Sequence, residues 1–512
     1  MATYSLVTFG CQMNVHDSER MAEVLEHAGY APAASVETAD LVLLNTCSVR
    51  EKAEQKLRSE LGRLGVLKRT RPELLIGVAG CVAQQEGERL LRRMPQIDLL
   101  IGPDNITELP GLLRELEGGA PPQVRTGFDL ELPRFLSVDP SLQRRRKISA
   151  FVTIMKGCDE RCSFCIVPTT RGPERYRPSS EILAECRALV ESGTREITLL
   201  GQTVDSYLDP EHELPQAPGH ELLAASAASN GSKRRGAGIH ADESEFPALL
   251  RAVASQVPEL ARLRYTSPHP RHLTPSLILA HRDLPQLARH VHMPVQSGSD
   301  RVLRRMLRRY SVAEYVERTS ALREAVPGLT LSTDVIVGFP GETQEDFELT
   351  LDLIREREFV GVYAFKYSER PGTPALKLVD DVPEQEKRRR LAALFEISEA
   401  QLRAHLGGQV GSQQTVLVEG LGKTGGYSGR TAQNEIVHFG CTDDVVGELC
   451  DVRITRAFKH SLEGELLDPA RRAALPAAAA SGDARAGRDG AASGAMIQAG
   501  ALPERVSLPV VV

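Results

Sequence analysis

The sequence predicts an α/β protein in three folded parts: an N-terminal parallel α/β domain, a central partial (β/α)6 barrel of the TIM type, and a small C-terminal antiparallel β-barrel. Three observations predict it. Residues 1–120 alternate short apolar runs with polar stretches of helical period, residues 144–380 repeat that alternation about six times, and residues 409–468 turn to strand-like alternation. The first two patterns are those of βαβ units and a parallel sheet, the third that of a small antiparallel barrel. A chain of 512 residues also exceeds what one ordinary core serves, so several domains are expected.

In the first part the strand candidates are YSLVTFG (4–10), DLVLLNTC (40–47) and ELLIGVAGC (73–81), followed by helix-period stretches such as VHDSERMAEVLEHAG and VREKAEQKLRSELGRL. All three runs end at or beside a cysteine: Cys11, Cys47 and Cys81. Open parallel sheets bind ligands beyond the carboxyl ends of their strands, so three thiols at three strand ends are placed to converge on one site. Three buried core cysteines are the alternative, the common state of a free thiol. The polar residues that follow each one (GCQMN, TCSVREKA, GCVAQQEG) favour loops over core.

A Pro/Gly-rich link near residues 117–140 leads to the second part. Its strand candidates are AFVTIMKG, REITLLGQ, RLRYTS, HVHMPVQ, STDVIVGFP and GVYAFKYS, with SSEILAECRALVESG, EFPALLRAVASQV, SDRVLRRMLRRY and TQEDFELTLDLIRERE as helices between them. Such barrels carry their active sites at the carboxyl ends of the strands. Cys158, Cys162 and Cys165 follow the first of these strands directly. Residues 209–243, rich in Ala, Gly, Ser and Pro, interrupt the barrel and read as a mobile surface loop, with Lys233, Arg234 and Arg235 as candidate RNA contacts. A helical linker (381–408) precedes the small barrel, and the Ala/Gly-rich tail 469–512 has no core pattern and is expected to be disordered.

With 41% hydrophobic and 25% charged residues the chain reads as a soluble globular protein. Its net charge of −6 does not advertise nucleic-acid binding, and the basic runs Arg144–Lys147 and Lys387–Arg390 read as solvated faces. Neither a membrane-length apolar run nor a signal-peptide pattern is found, so the expected compartment is the cytoplasm. Thiols stay reduced there, and clustered cysteines are read as metal or cluster ligands before disulfides.

MKGCDERCSFC (155–165) then stands out. A structural zinc site wants four ligands, commonly in two close pairs, and a bacterial ferredoxin run wants C-x2-C-x2-C with a fourth cysteine. C-x3-C-x2-C supplies three. Three thiolates on a compact loop can hold three corners of an iron-sulfur cube and leave the fourth iron open for chemistry.

This spacing, after a barrel strand, resembles the radical S-adenosylmethionine superfamily, with Phe164 at the position where those enzymes carry an aromatic residue. In that superfamily the open iron binds S-adenosylmethionine and cleaves it reductively to a 5'-deoxyadenosyl radical. The ordered motifs FGCQMNVHDSE, NTCSVREKAE, GCVAQ, GCDERCSFCIVPTTRG, LGQTVDSY, TSPHP, MPVQSGSDRVLRRMLRRY, VGFPGET and YSERPGTPA narrow the likeness, over roughly residues 3–465, to the methylthiotransferases. The resemblance implies a radical-cluster ligand set of Cys158, Cys162 and Cys165. It implies an auxiliary 4Fe-4S cluster on Cys11, Cys47 and Cys81, and parts of the S-adenosylmethionine pocket in REITLLGQ and STDVIVGFPGET. It further implies a TRAM-type, OB-like RNA-binding module at the C-terminus and a tRNA substrate, isopentenyladenosine beside the anticodon. GCQMN and GRTAQNEIVHF are similar to the tRNA-acting branch, although Thr169 in PTTRG stands where that branch often has tyrosine. A ribosomal-protein aspartate or a threonylcarbamoyl-adenosine tRNA as substrate, and a non-enzymatic iron-sulfur RNA-binding protein, are the alternative readings.

No acid/base pair is assigned, because the C2–H bond of an adenine offers no acidic proton to a side-chain base, and the cofactors carry the hard steps. Cys186, Cys441 and Cys450 read as structural. In the small barrel, Arg430 and Lys423 with Tyr427 and Phe439 are candidates for phosphate contact and base stacking. The expected partners are a tRNA anticodon stem-loop, a flavodoxin-type reductant and iron-sulfur or sulfur delivery proteins, with the chain itself a monomer and no membrane involved.

Overall fold

A computed structural model of the chain describes residues 2–49, 51–131, 134–137, 147–219, 244–422, 425–473 and 475. Strands β1 (Thr3–Phe9), β2 (Leu41–Thr46), β3 (Leu75–Ala79), β4 (Leu99–Ile101) and β5 (Gln123–Arg125) form one parallel sheet in sequence order, and Ala31–Pro32 pairs on the far side of β1. Helix α1 (Gln12–His27) covers one face, where Met21 and Leu25 meet Tyr4, Leu41 and Leu43. Helix α2 (Glu51–Thr70) covers the other, where Leu57, Leu61 and Leu64 meet Val7, Val42 and Leu44. Two covered faces explain why β2 is apolar at consecutive positions instead of alternate ones. The chain leaves β1 on one side for Ala31–Pro32 and on the other for β2, so strand order reverses between β1 and β2. That reversal opens a crevice at their carboxyl ends. Helices α3 (Cys81–Glu86) and α4 (Leu109–Glu117) follow β3 and β4. The Pro/Gly-rich link contributes β5, whose three half-buried residues are too few to show a strand period in the sequence.

The central part is a run of six parallel strands: β6 (Ser149–Thr153), β7 (Glu196–Leu200), β8 (Arg262–Tyr265), β9 (His290–His292), β10 (Thr330–Val337) and β11 (Gly361–Lys366). A parallel bridge from Leu263 to Leu287 joins its two halves. Among the described residues β6 and β11 are not paired, so the barrel is partial. One apolar core runs through it, with Ile197, Leu199, Leu263, Val335, Phe347 and Ile354 fully or almost fully buried. Helix α5 (Val167–Arg171) follows the cysteine loop, and the outer layer is built by α6 (Ser179–Glu191), α7 (Phe246–Gln256), α8 (Pro275–Asp283), α9 (Asp300–Arg305), α10 (Val312–Ala325) and α11 (Gln344–Arg357).

Two sequence expectations change here. SDRVLRRMLRRY is not one helix: α9 stops at Arg305, and Leu307 sits at φ 57°, a left-handed conformation costly for leucine. The break turns Arg308 inward, where its N–H bonds Leu303 O and its side chain is buried. The insertion also begins as ordered chain. Asp209 is fully buried and caps α6, accepting Ser179 N–H at 3.0 Å and Ser179 Oγ–H at 2.7 Å. Ser276 donates to Pro218 O, while Lys233, Arg234 and Arg235 lie outside the described residues.

Helix α12 (Glu384–Gly408) leads to a five-stranded barrel of β12 (Gln413–Leu421), β13 (Tyr427–Arg430), β14 (Ile436–Cys441), β15 (Leu449–Ala457) and β16 (Leu462–Leu466), closed by the β13–β14 pairing. It docks at the amino ends of the central strands, away from the cysteines. Arg262 and Arg264 donate to the carbonyls of Arg430 and Thr431, and Arg289 N–H to Ala432 O. Arg430 is therefore no open phosphate contact: its guanidinium pairs with Glu419 and bonds Asn434. Phe439 is core and is therefore no stacking platform, while Tyr427 is half-buried and tilted against it at 6.3 Å. Lys423 falls outside the described residues, as do 474 and 476–512 of the tail. Among the described residues no helix is long and apolar enough to cross a membrane.

Asp209→Ala removes two hydrogen bonds from the start of α6. We expect it to lower stability by about 1–2 kcal/mol, read as a fall in the urea midpoint.

Candidate active site at the seam of two parallel sheets

Cys11 follows β1, Cys47 follows β2 and Cys81 opens α3 after β3, so the strand-reversal crevice collects all three. Backbone close approach makes room for them. Gly10 has φ 151°, and a Cβ there would lie 2.7 Å from Cys47 Cβ and 2.4 Å from Asn14 Oδ1. A buried polar network holds the crevice floor: Asn14 Nδ2–H donates to Asn45 Oδ1 (3.1 Å), Asn45 Nδ2–H to Asn14 O (2.8 Å) and to Ser18 Oγ (2.9 Å), and Ser18 shares a hydrogen bond with Thr8. Cys11 N–H bonds Asn14 Oδ1, and Val49 N–H donates to Cys47 Sγ. The three sulfurs feel one another. A hydrogen bond with the Cys11 thiol, burial, and the charges of Cys11 and Cys81 push the Cys47 thiol well above its ordinary range.

The second triad lies on the loop after β6. Cys158 N–H bonds Gly172 O, and its sulfur sits 2.9 Å from Thr203 Oγ1, just past β7. Arg308 donates to Cys162 Sγ at 3.2 Å while its other nitrogens bond Pro294 O and the Tyr310 hydroxyl, which fixes the guanidinium in place. Ser163, between the last two cysteines, is pinned on three sides: its N–H bonds Met306 O, its hydroxyl Arg305 O, and its carbonyl accepts from Ala375 N–H. Phe164 packs edge-on against Phe339, which follows β10. Burial and the Cys162 charge push the Cys165 thiol up to about 12, and burial with the Cys165 charge raises Cys158.

The first sheet is clamped, by the end that carries Cys11, Cys47 and Cys81, onto the barrel mouth that carries Cys158, Cys162 and Cys165. Arg171, at the end of α5, crosses to Asp17 of α1 at 2.6 Å, with both side chains almost fully buried. Asp104, after β4, pairs with Lys156 and Arg175 of the barrel. Lys147 reaches Glu19 at 3.0 Å, and Arg370, after β11, donates to Val49 O beside Cys47.

The donor sets suit iron-sulfur groups. Burial and neighbouring charge raise the thiols of Cys47 and Cys81 in the first triad and of Cys158 and Cys165 in the second, and a cationic iron group is what lets three thiolates stand together. Beside Cys158, Gln202 Oε1 accepts Gly157 N–H while its buried Nε2 has no partner in the protein, a donor free for a polar group of a bound molecule such as S-adenosylmethionine. Glu160, His269 and His272 also bring ligand atoms within 4.8 Å of one another. Their hydrogen bonds argue against a cation there. His269 Nδ1 accepts Arg271 N–H, which places the neutral ring's proton on Nε2, and Arg271 pairs with Glu160 at 2.7 Å.

Sequence comparison agrees with this geometry. Profiles of the Uncharacterized protein family UPF0004, the Radical SAM superfamily and the TRAM domain match residues 3–102, 152–354 and 408–467. A tRNA-2-methylthio-N(6)-dimethylallyladenosine synthase of Sorangium cellulosum is 63% identical over 491 residues, covering 93% of this chain and 95% of that one. The chain belongs to the tRNA-2-methylthio-N(6)-dimethylallyladenosine synthase family. A synthase of the same name from Neisseria gonorrhoeae is 43% identical over 465 residues, covering 90% of this chain and 98% of its own. Among solved structures, the radical S-adenosylmethionine methyltransferase TsrM from Kitasatospora setae, with cobalamin and a [4Fe-4S] cluster bound, aligns over 81% of each chain at 14% identity and a TM-score of 0.49. As a member of this synthase family the chain is a radical S-adenosylmethionine enzyme, and such enzymes use S-adenosylmethionine with 4Fe-4S clusters.

Thr203, Arg308, Asn14, Asn45 and Arg171 escaped the sequence reading as site residues. Each sits inside a quoted motif, but its contact lies far along the chain. Cys186 and Cys450 are buried, as expected of structural residues, and Cys441 is half-buried.

Burial would raise the Asp104 carboxyl, but Lys156 and Arg175 outweigh it and hold the group below 3.8. A depressed folded value contributes stability that is present above the ordinary value and lost as pH falls through the depressed one. Asp104→Ala leaves two buried cations unpaired. We expect a loss of about 3–5 kcal/mol at pH 7, with the wild-type advantage over Asp104→Ala shrinking below about pH 4 in urea titrations.

Proposed function

We propose that the chain is a tRNA methylthiotransferase, which places a methylthio group on C2 of isopentenyladenosine next to the anticodon. In this reading Cys158, Cys162 and Cys165 hold the radical 4Fe-4S cluster and Cys11, Cys47 and Cys81 the auxiliary one. The single observation that carries it is the clamping of the domain that bears Cys11, Cys47 and Cys81 onto the barrel end that bears Cys158, Cys162 and Cys165, through buried ion pairs and a hydrogen bond beside Cys47. The 63% and 43% identical relatives, both named as tRNA-2-methylthio-N(6)-dimethylallyladenosine synthases, favour this substrate over a ribosomal protein or another modified adenosine.

When bound, the clusters and S-adenosylmethionine supply the one-electron, sulfur-transfer and methyl-transfer chemistry that an unactivated C2–H bond requires. The chain's own residues bind, orient and exclude water. Arg308 and Thr203 steady the Cys162 and Cys158 sulfurs with charged and neutral hydrogen bonds. Gln202 presents an unpartnered donor beside them, and Phe164 and Phe339 close the loop from the β10 side. The Asn14–Asn45–Ser18 network holds the floor of the crevice that receives Cys11, Cys47 and Cys81. No side-chain acid or base is needed. The C-terminal TRAM barrel supports an RNA substrate and the anticodon stem-loop as partner. We assign the reductant to a flavodoxin-type protein and cluster supply to iron-sulfur delivery proteins, with the chain acting as a cytoplasmic monomer. The domain division follows: 1–120 for the auxiliary site, 144–380 for the radical site, 381–408 as linker, 409–468 for RNA and 469–512 as tail.

A strain lacking this chain should lose 2-methylthio-isopentenyladenosine from its digested tRNA and accumulate isopentenyladenosine. Unchanged levels of the methylthio nucleoside overturn the substrate assignment. In anaerobically reconstituted protein, iron should fall from roughly eight to roughly four per chain in Cys11→Ala, Cys47→Ala or Cys81→Ala. These variants should make no methylthiolated product, whereas Cys158→Ala, Cys162→Ala and Cys165→Ala should also stop 5'-deoxyadenosine formation.

A further inference from the structure

We propose that Asp334, held by His292 inside the central barrel, is a specificity-determining residue: its free carboxylate oxygen accepts the single N6–H of the N6-alkylated adenine while Tyr363 and Phe365 carry the ring. This rests on the reading of isopentenyladenosine as the substrate and names the contact that reads that base.

Strand alternation puts these groups on one inner face. On β10, Leu331, Val335 and Val337 belong to the barrel core, so Thr330, Ser332 and Asp334 point the other way. Val291 on β9, and Val362 and Ala364 on β11, place His290, His292, Tyr363 and Phe365 likewise. Register gathers them. His292 pairs with Ser332, Asp334 with Tyr363 and Ile336 with Phe365, and the His292 and Tyr363 rings lie 5.6 Å apart. Tyr363 and Phe365 are only half-buried, on the side where β6 and β11 do not pair, so this face is open to a ligand. It also adjoins the radical loop: Gln296 N–H bonds Asp334 O at 2.9 Å, and Arg308 spans from Pro294 O to Cys162 Sγ.

A chain of hydrogen bonds fixes which atom of the pair is left over. Thr330 Oγ1–H donates to Arg289 O, so its oxygen accepts from His290 Nδ1 at 2.9 Å. Burial, with the Arg264 charge, holds the His290 ring down at about 3 and hence neutral, which makes its Nε2 the acceptor of the Ser332 hydroxyl at 3.0 Å. Ser332 Oγ accepts in turn from His292 Nδ1 at 2.9 Å. His292 Nε2 then faces Asp334 Oδ2 at 3.3 Å, with both side chains almost fully buried. One proton shared on this pair offsets the cost of burying a carboxylate. Asp334 Oδ1 is buried too and has no partner in the protein. With the proton lying between Nε2 and Oδ2, Oδ1 can only accept.

An N6-alkylated adenine offers acceptors at N1, N3 and N7 and one donor, N6–H. One buried acceptor beside two aromatic rings fits that donor and the flat face of the base, in the way an unstacked base is held by stacking and by hydrogen bonds to its edge. The same oxygen rejects a base that lacks the N–H, because it would then stay unpaired in the interior.

The test uses full-length, anaerobically reconstituted protein and two anticodon stem-loop RNAs, one carrying N6-isopentenyladenosine and one N6-methyl-N6-isopentenyladenosine, which has no N–H. For the wild type, kcat/KM should fall roughly 10- to 100-fold from the first RNA to the second. Asp334→Leu should raise KM for the first RNA and bring the ratio between the two close to one, whereas a purely steric penalty of the added methyl would persist in this variant. Asp334→Asn keeps an oxygen acceptor and gives His292 Nε2 a donor, so it should retain most of the discrimination. Tyr363→Leu should weaken both RNAs alike and leave the ratio in place. If Asp334→Leu does not fold, the wild type and Asp334→Asn carry the test by the same ratio. Equal use of the two RNAs by the wild type, or a ratio that survives in Asp334→Leu, overturns this proposal alone. So does an Asp334→Leu defect confined to the KM for S-adenosylmethionine, whose adenosine also carries an N6 donor. A wild type that methylthiolates neither RNA overturns the substrate reading, and this inference with it.

Discussion

The structure depends on a row of buried charge pairs that clamps one parallel sheet onto the mouth of another. Asp17 with Arg171, and Asp104 with Lys156 and Arg175, cross between domains where water is largely excluded. Buried pairs of this kind add little net stability against apolar packing, but they punish misregistration severely, because a displaced partner leaves an unpaired charge in the interior. The seam is therefore a device for register. It sets the carboxyl ends of β1–β3, where Cys11, Cys47 and Cys81 lie, against the barrel mouth that carries Cys158, Cys162 and Cys165.

Both sets arise from the same rule of parallel sheets. In the first domain strand order reverses between β1 and β2, and the crevice there receives Cys11, Cys47 and Cys81 from successive strand ends. In the barrel the loop after the first strand carries Cys158, Cys162 and Cys165, held from three other strand ends: Thr203 after β7, Arg308 beyond β9 and Phe339 after β10. The C-terminal barrel sits at the amino ends of the central strands, bound through the Arg430–Ala432 turn, and leaves the cysteine mouth clear.

Much of this was legible in the sequence. Cys11, Cys47, Cys81 and Cys158 stand out because each follows an apolar run, Cys162 and Cys165 by their spacing from Cys158, and the fold class follows from hydrophobic period alone. Other features depend on partners far along the chain and leave no local signature. Arg308 reads as one more helix-surface arginine until the break at Leu307 turns it toward Cys162. Asp209 reads as the start of a loose loop because its partner Ser179 lies thirty residues earlier. Arg430 reads as a phosphate contact because its partners, Glu419 across the β12–β13 hairpin and Asn434 in the turn that follows β13, are set by local geometry that the residue pattern does not show. The short strand β5 was masked by the prolines and glycines around it, since its three residues show too little period to outweigh them.

The central claim is that the seam joins two iron-binding triads, one on each side of it. Anomalous diffraction at the iron edge, on crystals of anaerobically reconstituted protein, tests it most directly. The account predicts two iron peaks, one among Cys11, Cys47 and Cys81 and one among Cys158, Cys162 and Cys165, with the Arg171–Asp17 pair between the domains. A single peak, or a second peak away from the first triad, would contradict it.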